Sequence, residues 1–502
     1  MTPAGKSARA FVGVLLAFLL LYALTAQRGP AWQDSGQFQC RIRDFDLKGE
    51  LGLALSHPLL IVLGKAFASI PFGEMTWRMN LLPALCGAIA AANIALLLRR
   101  LRPEAPLAAW AAAGFYGLAH TPWWLATICE SQALLAALFT AQLNLLLSLV
   151  RRPGVLWAAA LGLASGLGWS AHGLALLALP AYGLAVLWLC GRKQLNWVAV
   201  PAMLIAWAAG GALMLWLLVG EACQIGLWAA IHSALFGVGW QRDVLGGSMK
   251  AVAMGCGYVL LNFPNLAIPL AVLGLWKMRR QEGPAWRWSI LYLLAIYLLF
   301  AIRYTVADQF MFFLPFYALV AVCAGAGAAH VLAGRRKWLI GVAAVSMAFG
   351  PVLYGVGPAV WRGLDLPAPG RSDLPFRDPV RYWLTPWKHN EDSAGEFARA
   401  AIRQVLRTPC QGQRIILADS TSEFPLKWVV EQEKAPICVE GGIIIPIVEG
   451  CPPTDRTFFA VSHHPGYYQT WFDLYAEFRK GPGDVLYRIV WYEPQSQTSP
   501  AP

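Results

Sequence analysis

The sequence predicts an α-helical polytopic membrane protein of about eleven transmembrane helices followed by a small C-terminal α/β domain. Three observations predict it. The 502 residues are 57% hydrophobic and only 14% charged, with a mean hydropathy of +0.50, which is too apolar for a soluble globular chain. Eleven apolar runs are each long enough to cover a hydrocarbon core of about 30 Å. Beyond residue 356 the texture changes to short β-type runs and one amphipathic helix, introduced by the proline-rich stretch Leu366-Pro367-Ala368-Pro369-Gly370.

The apolar runs fall at 9–26, 79–98, 105–120, 130–149, 155–171, 174–190, 197–219, 251–276, 287–302, 310–333 and 338–356. The first, with Lys6 and Arg9 before it and Ala23-Leu24-Thr25-Ala26 after it, has the outline of a secretory signal. Because so many spans follow, it reads as an uncleaved first helix. Orientation comes from the basic clusters Lys6/Arg9, Arg99/Arg100/Arg102, Arg151/Arg152, Arg192/Lys193, Lys277/Arg279/Arg280 and Arg335/Arg336/Lys337. All fall on one side, the cytoplasmic one, if the N-terminus is cytoplasmic and the apolar segment 51–71 does not cross. His57-Pro58 near the start of that segment and Pro71 at its end suit a short helix that rests in the outer interface or re-enters it. The net charge of +12 is then largely topological, and nucleic-acid binding is not implied.

The chain therefore divides into a transmembrane domain over residues 1–357, with a first extracytoplasmic loop and its interfacial helices at 27–78, and an extracytoplasmic α/β domain over 358–502. In the latter a helix is expected at 391–407 and strands at 414–418, 443–448, 457–461 and 485–491. The expected location is the cytoplasmic membrane. Most of the ten cysteines lie in or beside apolar helices, where a thiol behaves as a small hydrophobe. Cys410, Cys438 and Cys451 share the exposed domain, and one pair among them can bridge in an oxidising compartment.

This orientation collects Asp34, His57, Arg78, His120, Glu130, His172, Arg303 and Asp308 at helix ends on the outer face. Charged and polar groups also serve as solvated helix ends, so each has a structural reading beside a functional one. Asp34 is the strongest candidate, in the Gly/Ser context of Trp32-Gln33-Asp34-Ser35-Gly36, with Trp32 as an interface anchor. Asp44 and Asp46 read as ion pairs with Arg41, Arg43 and Lys48. Glu130 reads either as a cap for the following helix or as a catalytic group. His172 reads as a packing histidine beyond Gly162 and Gly166, which are spaced for close helix contact. Arg303 suits a phosphate or an ion pair with Asp308. His463-His464 lack a third ligand, so no metal site is expected there.

Trp32-Gln33-Asp34-Ser35-Gly36, His57-Pro58, Gly64 and Arg78-Met79-Asn80-Leu81-Leu82-Pro83-Ala84-Leu85 together resemble the N-terminal signature of bacterial relatives of the transmembrane protein O-mannosyltransferases, within the GT-C class of polytopic glycosyltransferases. The resemblance continues through Glu130, residues 162–172 and Tyr304-Thr305-Val306-Ala307-Asp308 with Phe312, Phe313 and Pro315, covering about residues 9–330. It implies a GT-C-like fold and transfer of a sugar from a polyprenyl-phosphate carrier, outside the cytoplasmic membrane, to a protein, glycan or lipid acceptor. Mannose and a protein Ser/Thr hydroxyl are the pair it suggests. It also implies an acidic catalytic residue in the first outer loop, which is Asp34 here. His57, Arg78, Glu130 and Asp308 match further family positions, and many relatives carry Glu where this chain has Gln37. A catalytic or metal-binding part for that glutamate would be lost.

The expected mechanism is inverting transfer. Asp34 deprotonates the acceptor hydroxyl, and Arg303, with Arg78 in reserve, receives the charge of the departing lipid phosphate, while His57, Glu130, Asp308 and His172 help bind the donor. No cofactor is required, although a divalent cation is compatible with the scheme. The competing expectation is a non-catalytic protein: a lipid-linked sugar flippase, a transporter or a pseudo-transferase binding subunit. Transporters place ionisable groups near the bilayer midplane, whereas the spans here are mostly uncharged at their centres.

Overall fold

A computed structural model describes residues 3–238, 240–278, 283–306, 308–332, 337–369, 374–387, 391–410, 412–441, 456–462 and 476–491. Its contacts divide the chain into two compact units. One comprises Met1–Ala26, Arg41–Pro367 and Val380–Asn390; the other comprises Gln27–Cys40, Ala368–Pro379 and Glu391–Pro502. The division near residue 357 expected from sequence is therefore crossed twice, by residues 27–40 and by residues 380–390.

The first unit is a multi-pass helical membrane body. Among the described residues seven helices are long and apolar enough to cross a membrane: Ser7–Thr25, Met75–Leu101, Ser131–Arg151, Gly173–Gly191, Pro284–Arg303, Gln309–Leu332 and Ile340–Gly363. Two further expected spans are bent pairs, Ala199–Gly210 with Ala212–Ile225 at 73° and Met249–Asn262 with Ala267–Lys277 at 94°. Each bend has a sequence cause. The first falls at the Gly210-Gly211 pair, and the second at Pro264, whose ring disfavours helix for Phe263 and which offers no N–H.

The last two of the expected eleven fold as Pro106–Gly117 and Val155–Ala171. At 1.5 Å per residue they reach about 18 Å and about 26 Å, short of the roughly 30 Å core. The segment at 51–71 forms a single 3-10 turn, Leu53–Leu55, and the helix Pro58–Ala68, whose 11 residues span only about 17 Å.

Close packing follows from small side chains. The central helix Met75–Leu101 buries Ala84, Ala88, Ala91, Ala92 and Ala95. Gly162 and Gly166 lie against the carbonyls of Met203 and Trp207, where an added Cβ would meet main chain, so Val155–Ala171 and Ala199–Gly210 touch backbone to backbone. The short helix Pro379–Leu384 carries aromatic residues back to the membrane body. Trp383 stacks on Trp124 with centroids 5.5 Å apart, and Trp387 meets Trp123 at 5.0 Å.

The second unit is built on a five-stranded sheet of β1 (Gln413–Ala418), β2 (Ile437–Gly441), β3 (Arg456–Ala460), β4 (Ala476–Arg479) and β5 (Tyr487–Trp491). Its order is β2-β1-β3-β5-β4; β2 and β3 run parallel to β1, and β5 runs antiparallel to β3 and β4. The helix Glu423–Gln432 makes the crossover that parallel pairing of β1 and β2 requires. Ile415, Leu417, Phe458, Ala460 and Ile489 form the core of one face.

The expected helix appears as Ser393–Arg407, started by Asp392, whose carboxylate accepts from the Gly395 N–H at 3.1 Å. Three of the expected strands appear as β1, β3 and β5. The fourth, at 443–448, lies outside the described residues.

Candidate active site

Asp34 occupies the first turn of the helix Gln33–Asp44, where partial positive charge favours a carboxylate. What fixes that turn is the second unit. The Gln33 N–H donates to the Thr421 carbonyl just beyond β1 at 3.1 Å, and Gln33 itself takes the left-handed conformation, φ 55°. The Trp32 indole N–H donates to the Ser393 hydroxyl at 3.1 Å, its ring lies 5.4 Å from that of Phe397, and the Arg377 guanidinium sits 5.7 Å from its centroid.

Behind the turn, Gln39 accepts from the Ala31 N–H at 2.9 Å and Gln27 donates to the Pro30 carbonyl at 2.6 Å. Gly36 lies against the Ala31 carbonyl, with Phe424 Cβ 3.0 Å from where a Cβ would be. Trp32 is buried, so it is a docking residue within the second unit rather than the lipid-interface anchor expected from sequence.

The Asp34 side chain remains accessible, yet desolvation by surrounding protein pushes its pKa upward. A raised pKa also makes it a stronger base once ionised. Gln37, at the position of the expected glutamate, is half-buried in the same helix.

The membrane unit assembles a second group of the predicted residues. The His57 and His172 rings stack with centroids 4.7 Å apart and an interplanar angle of 26°. His172 Nδ1 accepts from the Leu174 N–H at 3.0 Å, which leaves the proton of the neutral ring on Nε2. Burial lowers both pKa values. His172 is pushed down to about 4, and His57 falls well below the usual range through burial first and the neighbouring His172 and Arg41 second. Both rings are neutral at pH 7.

His57 adopts φ 47°, ψ 50° as it turns the chain into Pro58. His172 meets Phe312 edge-on at 5.9 Å, and Phe312 meets Tyr304 at 4.4 Å, so a row of rings joins the histidines to the segment that carries Arg303. Arg303 donates through Nε and a terminal nitrogen to the Gly246 carbonyl at 3.2 and 3.1 Å while staying exposed, and Thr305 donates to Asp243 at 3.2 Å. Sequence reasoning missed this 243–246 partner, which no motif marks.

Arg41 was expected as an ion-pair partner of Asp46, and that contact exists at 3.6 Å. The larger role is structural. Its buried guanidinium donates to the carbonyls of Asp46, Leu47, Leu55 and Ser56 at 3.2, 3.1, 3.0 and 2.7 Å, tying the end of its helix to the turn that precedes His57. Asp44 pairs with Arg43 at 2.8 Å, and Lys48 with Glu221 at 3.2 Å.

The remaining predicted residues have separate settings. Arg78 donates to the Ile70 carbonyl at the end of the 51–71 segment. Glu130 is 3% exposed and holds the N-cap position of Ser131–Arg151 without a side-chain bond to the first-turn amides, so it does not cap that helix in the usual way. Asp308 precedes the 3-10 turn Gln309–Phe313 and lies beside Tyr258. His120 is a packing residue, with Nε2 2.9 Å from the Trp383 carbonyl and its ring 5.3 Å from that of Tyr354.

Cys410 and Cys438 are free thiols, whereas Cys451 and His463-His464 lie outside the described residues. Among the described residues no three His, Cys, Asp or Glu side chains converge as metal ligands.

No family model and no curated protein matches this sequence. Solved structures do. The chain is similar to ArnT from Cupriavidus metallidurans in the apo state, with a TM-score of 0.59 and 16% identity over 97% of this chain and 98% of that one. It is similar also to ArnT bound to undecaprenyl phosphate, with a TM-score of 0.59 and 15% identity over 96% and 97%. A weaker likeness, with a TM-score of 0.47 and 13% identity over 86% and 63%, is to an Archaeoglobus fulgidus oligosaccharyltransferase tethered to an acceptor peptide. The fold is thus that of ArnT along almost the whole chain, in keeping with the GT-C-like fold expected from the sequence.

Proposed function

We propose that the protein is an inverting GT-C glycosyltransferase that moves a sugar from a polyprenyl-phosphate carrier to an acceptor hydroxyl on the outer side of the cytoplasmic membrane. The observation that carries the reading is the end-to-end likeness to ArnT, a protein solved with undecaprenyl phosphate bound. A fold supports many activities, so the reading rests equally on the chemistry of Asp34. This carboxylate is accessible, stands on a helix start clamped by several hydrogen bonds, and carries a raised pKa.

In this mechanism Asp34 accepts the proton of the acceptor hydroxyl as its oxygen bonds to the anomeric carbon, and the lipid phosphate leaves from the opposite face of the sugar. Arg303 neutralises the charge that develops on that phosphate, with Arg78 as the alternative cation. His57 and His172, neutral and stacked, position the donor rather than move protons, while Glu130 and Asp308 contribute to the donor site. The basic loops favour a cytoplasmic N-terminus and a C-terminal sheet on the outer side. The scheme needs no metal, and mannose with a protein Ser/Thr hydroxyl is the first donor and acceptor pair to try.

The test is to incubate purified protein with radiolabelled polyprenyl-phosphate sugars and follow release of lipid phosphate. Release by the wild-type protein that is lost in Asp34→Asn supports the mechanism. Release that survives in Asp34→Asn removes Asp34 from it, and absence of release with any sugar identifies a binding subunit instead.

A further inference from the structure

A groove far from Asp34 in sequence lies between the helices Leu179–Gly191 and Pro284–Arg303. It has a volume of about 330 Å³ and is walled by Leu184, Leu187, Trp188, Trp288 and Tyr292 over an alanine floor that includes Ala185. The Ser289 hydroxyl on the lining is turned to the Ala181 carbonyl, which leaves the Tyr292 hydroxyl and the indole N–H groups as the polar atoms of an otherwise apolar wall.

The groove is charged at one end. The Arg192 guanidinium lies 4.8 Å from the Trp188 centroid and that of Arg287 lies 5.2 Å from the Trp288 centroid, so a cation is stacked on an aromatic wall from each helix. Lys193 follows Arg192 and is exposed. A guanidinium beside an aromatic ring keeps its charge, and its planar set of N–H donors matches phosphate oxygens. The rings themselves, Trp188 43% and Trp288 61% exposed, stand where amphipathic indoles mark the edge of a bilayer.

We infer that this groove binds an anionic diacyl phospholipid, with one acyl chain between the two helices and the phosphate held at the Arg192/Arg287 end. An apolar slot capped by two cations from neighbouring helices complements that ligand in both parts and gives a zwitterionic lipid no electrostatic advantage. In the orientation set by the basic loops the lipid comes from the cytoplasmic leaflet. The site is independent of sugar transfer and its test reads no activity.

The experiment is native mass spectrometry of the delipidated full-length protein, titrated with phosphatidylglycerol, phosphatidylcholine of matched chains, or undecaprenyl phosphate. Phosphatidylglycerol should be retained in preference to phosphatidylcholine. Each Arg/Lys near the surface is worth about fivefold in affinity, so R192Q/R287Q should weaken phosphatidylglycerol about 30-fold and abolish the preference. Leu184→Trp, which fills the groove from a position 63% exposed, should weaken both phospholipids alike. Equal retention of the two phospholipids, undiminished phosphatidylglycerol binding in both variants, or stronger binding of undecaprenyl phosphate that is lost in R192Q/R287Q would overturn the inference.

Discussion

Replacing Gly36 by alanine tests whether the second unit holds Asp34 in a working position. The added Cβ would run into the Ala31 carbonyl, which belongs to the main chain, and sit 3.0 Å from Phe424 Cβ. Ala31 is itself held by Gln39 at 2.9 Å, so the carbonyl has little room to retreat, and the start of the helix Gln33–Asp44 must move instead. Asp34 lies two residues from the insertion, in the same turn. A displacement on the order of 1 Å at a reacting group costs about 100-fold in rate, whereas overpacking of this kind costs about 1–3 kcal/mol of stability. The assay is the initial rate of lipid phosphate release at saturating donor, run beside thermal unfolding, with Gly183→Ala as control because nothing lies within 4 Å of its new methyl. A Gly36→Ala protein that melts cooperatively and turns over at the wild-type rate would refute the claim that this clamp sets the position of Asp34.

Four other outcomes follow from the structure. Asp34→Asn should lose about 100- to 10,000-fold in rate, the usual share of a general base. It should also melt higher than wild type at pH 7: a carboxyl whose folded pKa is raised adds stability only below its unfolded pKa, and that stability disappears as pH rises through the folded value. For the same reason wild-type kcat/KM should fall as pH drops through the raised pKa of Asp34, and an acid limb at the ordinary aspartate value would contradict the burial effect. Arg41→Lys should destabilise by about 3 kcal/mol or more in thermal unfolding, because a single ammonium cannot span four carbonyls and leaves buried acceptors unpaired; unchanged stability would show the fork to be dispensable. A reporter active only outside the cytoplasm should work when fused after Trp491 and fail when fused after Arg152, and the reverse pattern would invert the orientation.

The membrane body was largely legible because its signals are local. Apolar runs marked the helices and the spacing of Gly162 and Gly166 marked a close helix contact, whereas the bend at Pro264 within the expected span 251–276 was not anticipated. Short helices escaped. Residues 106–117 and 155–171 are as apolar as the longer helices, and hydropathy does not register where such a helix begins or stops, at Pro106 for one and at His172 for the other. In the second unit β2 was missed because Ile437-Cys438-Val439-Glu440-Gly441 is too short to show a period, and the helix Glu423–Gln432 was obscured by Pro425, which is tolerated in a first turn.

The site was legible in its residues and illegible in its supports. Asp34 could be singled out, but Trp32 looked the same whether it faced lipid or a domain, and its partners Ser393 and Phe397 lie more than three hundred residues away. Arg41 beside Asp46 looked like a surface pair because the carbonyls it gathers depend on a loop conformation no side-chain pattern encodes. The supports nevertheless decide what Asp34 can do. A carboxylate in a flexible Gly/Ser turn would relax toward water and regain an ordinary pKa, whereas one locked by Thr421, Trp32 and the crowding at Gly36 stays in its desolvated place. The raised pKa and the rigid start of the helix are thus one property, and a substitution that loosens the turn should return the acid limb of the pH profile toward the ordinary aspartate range as it lowers the rate.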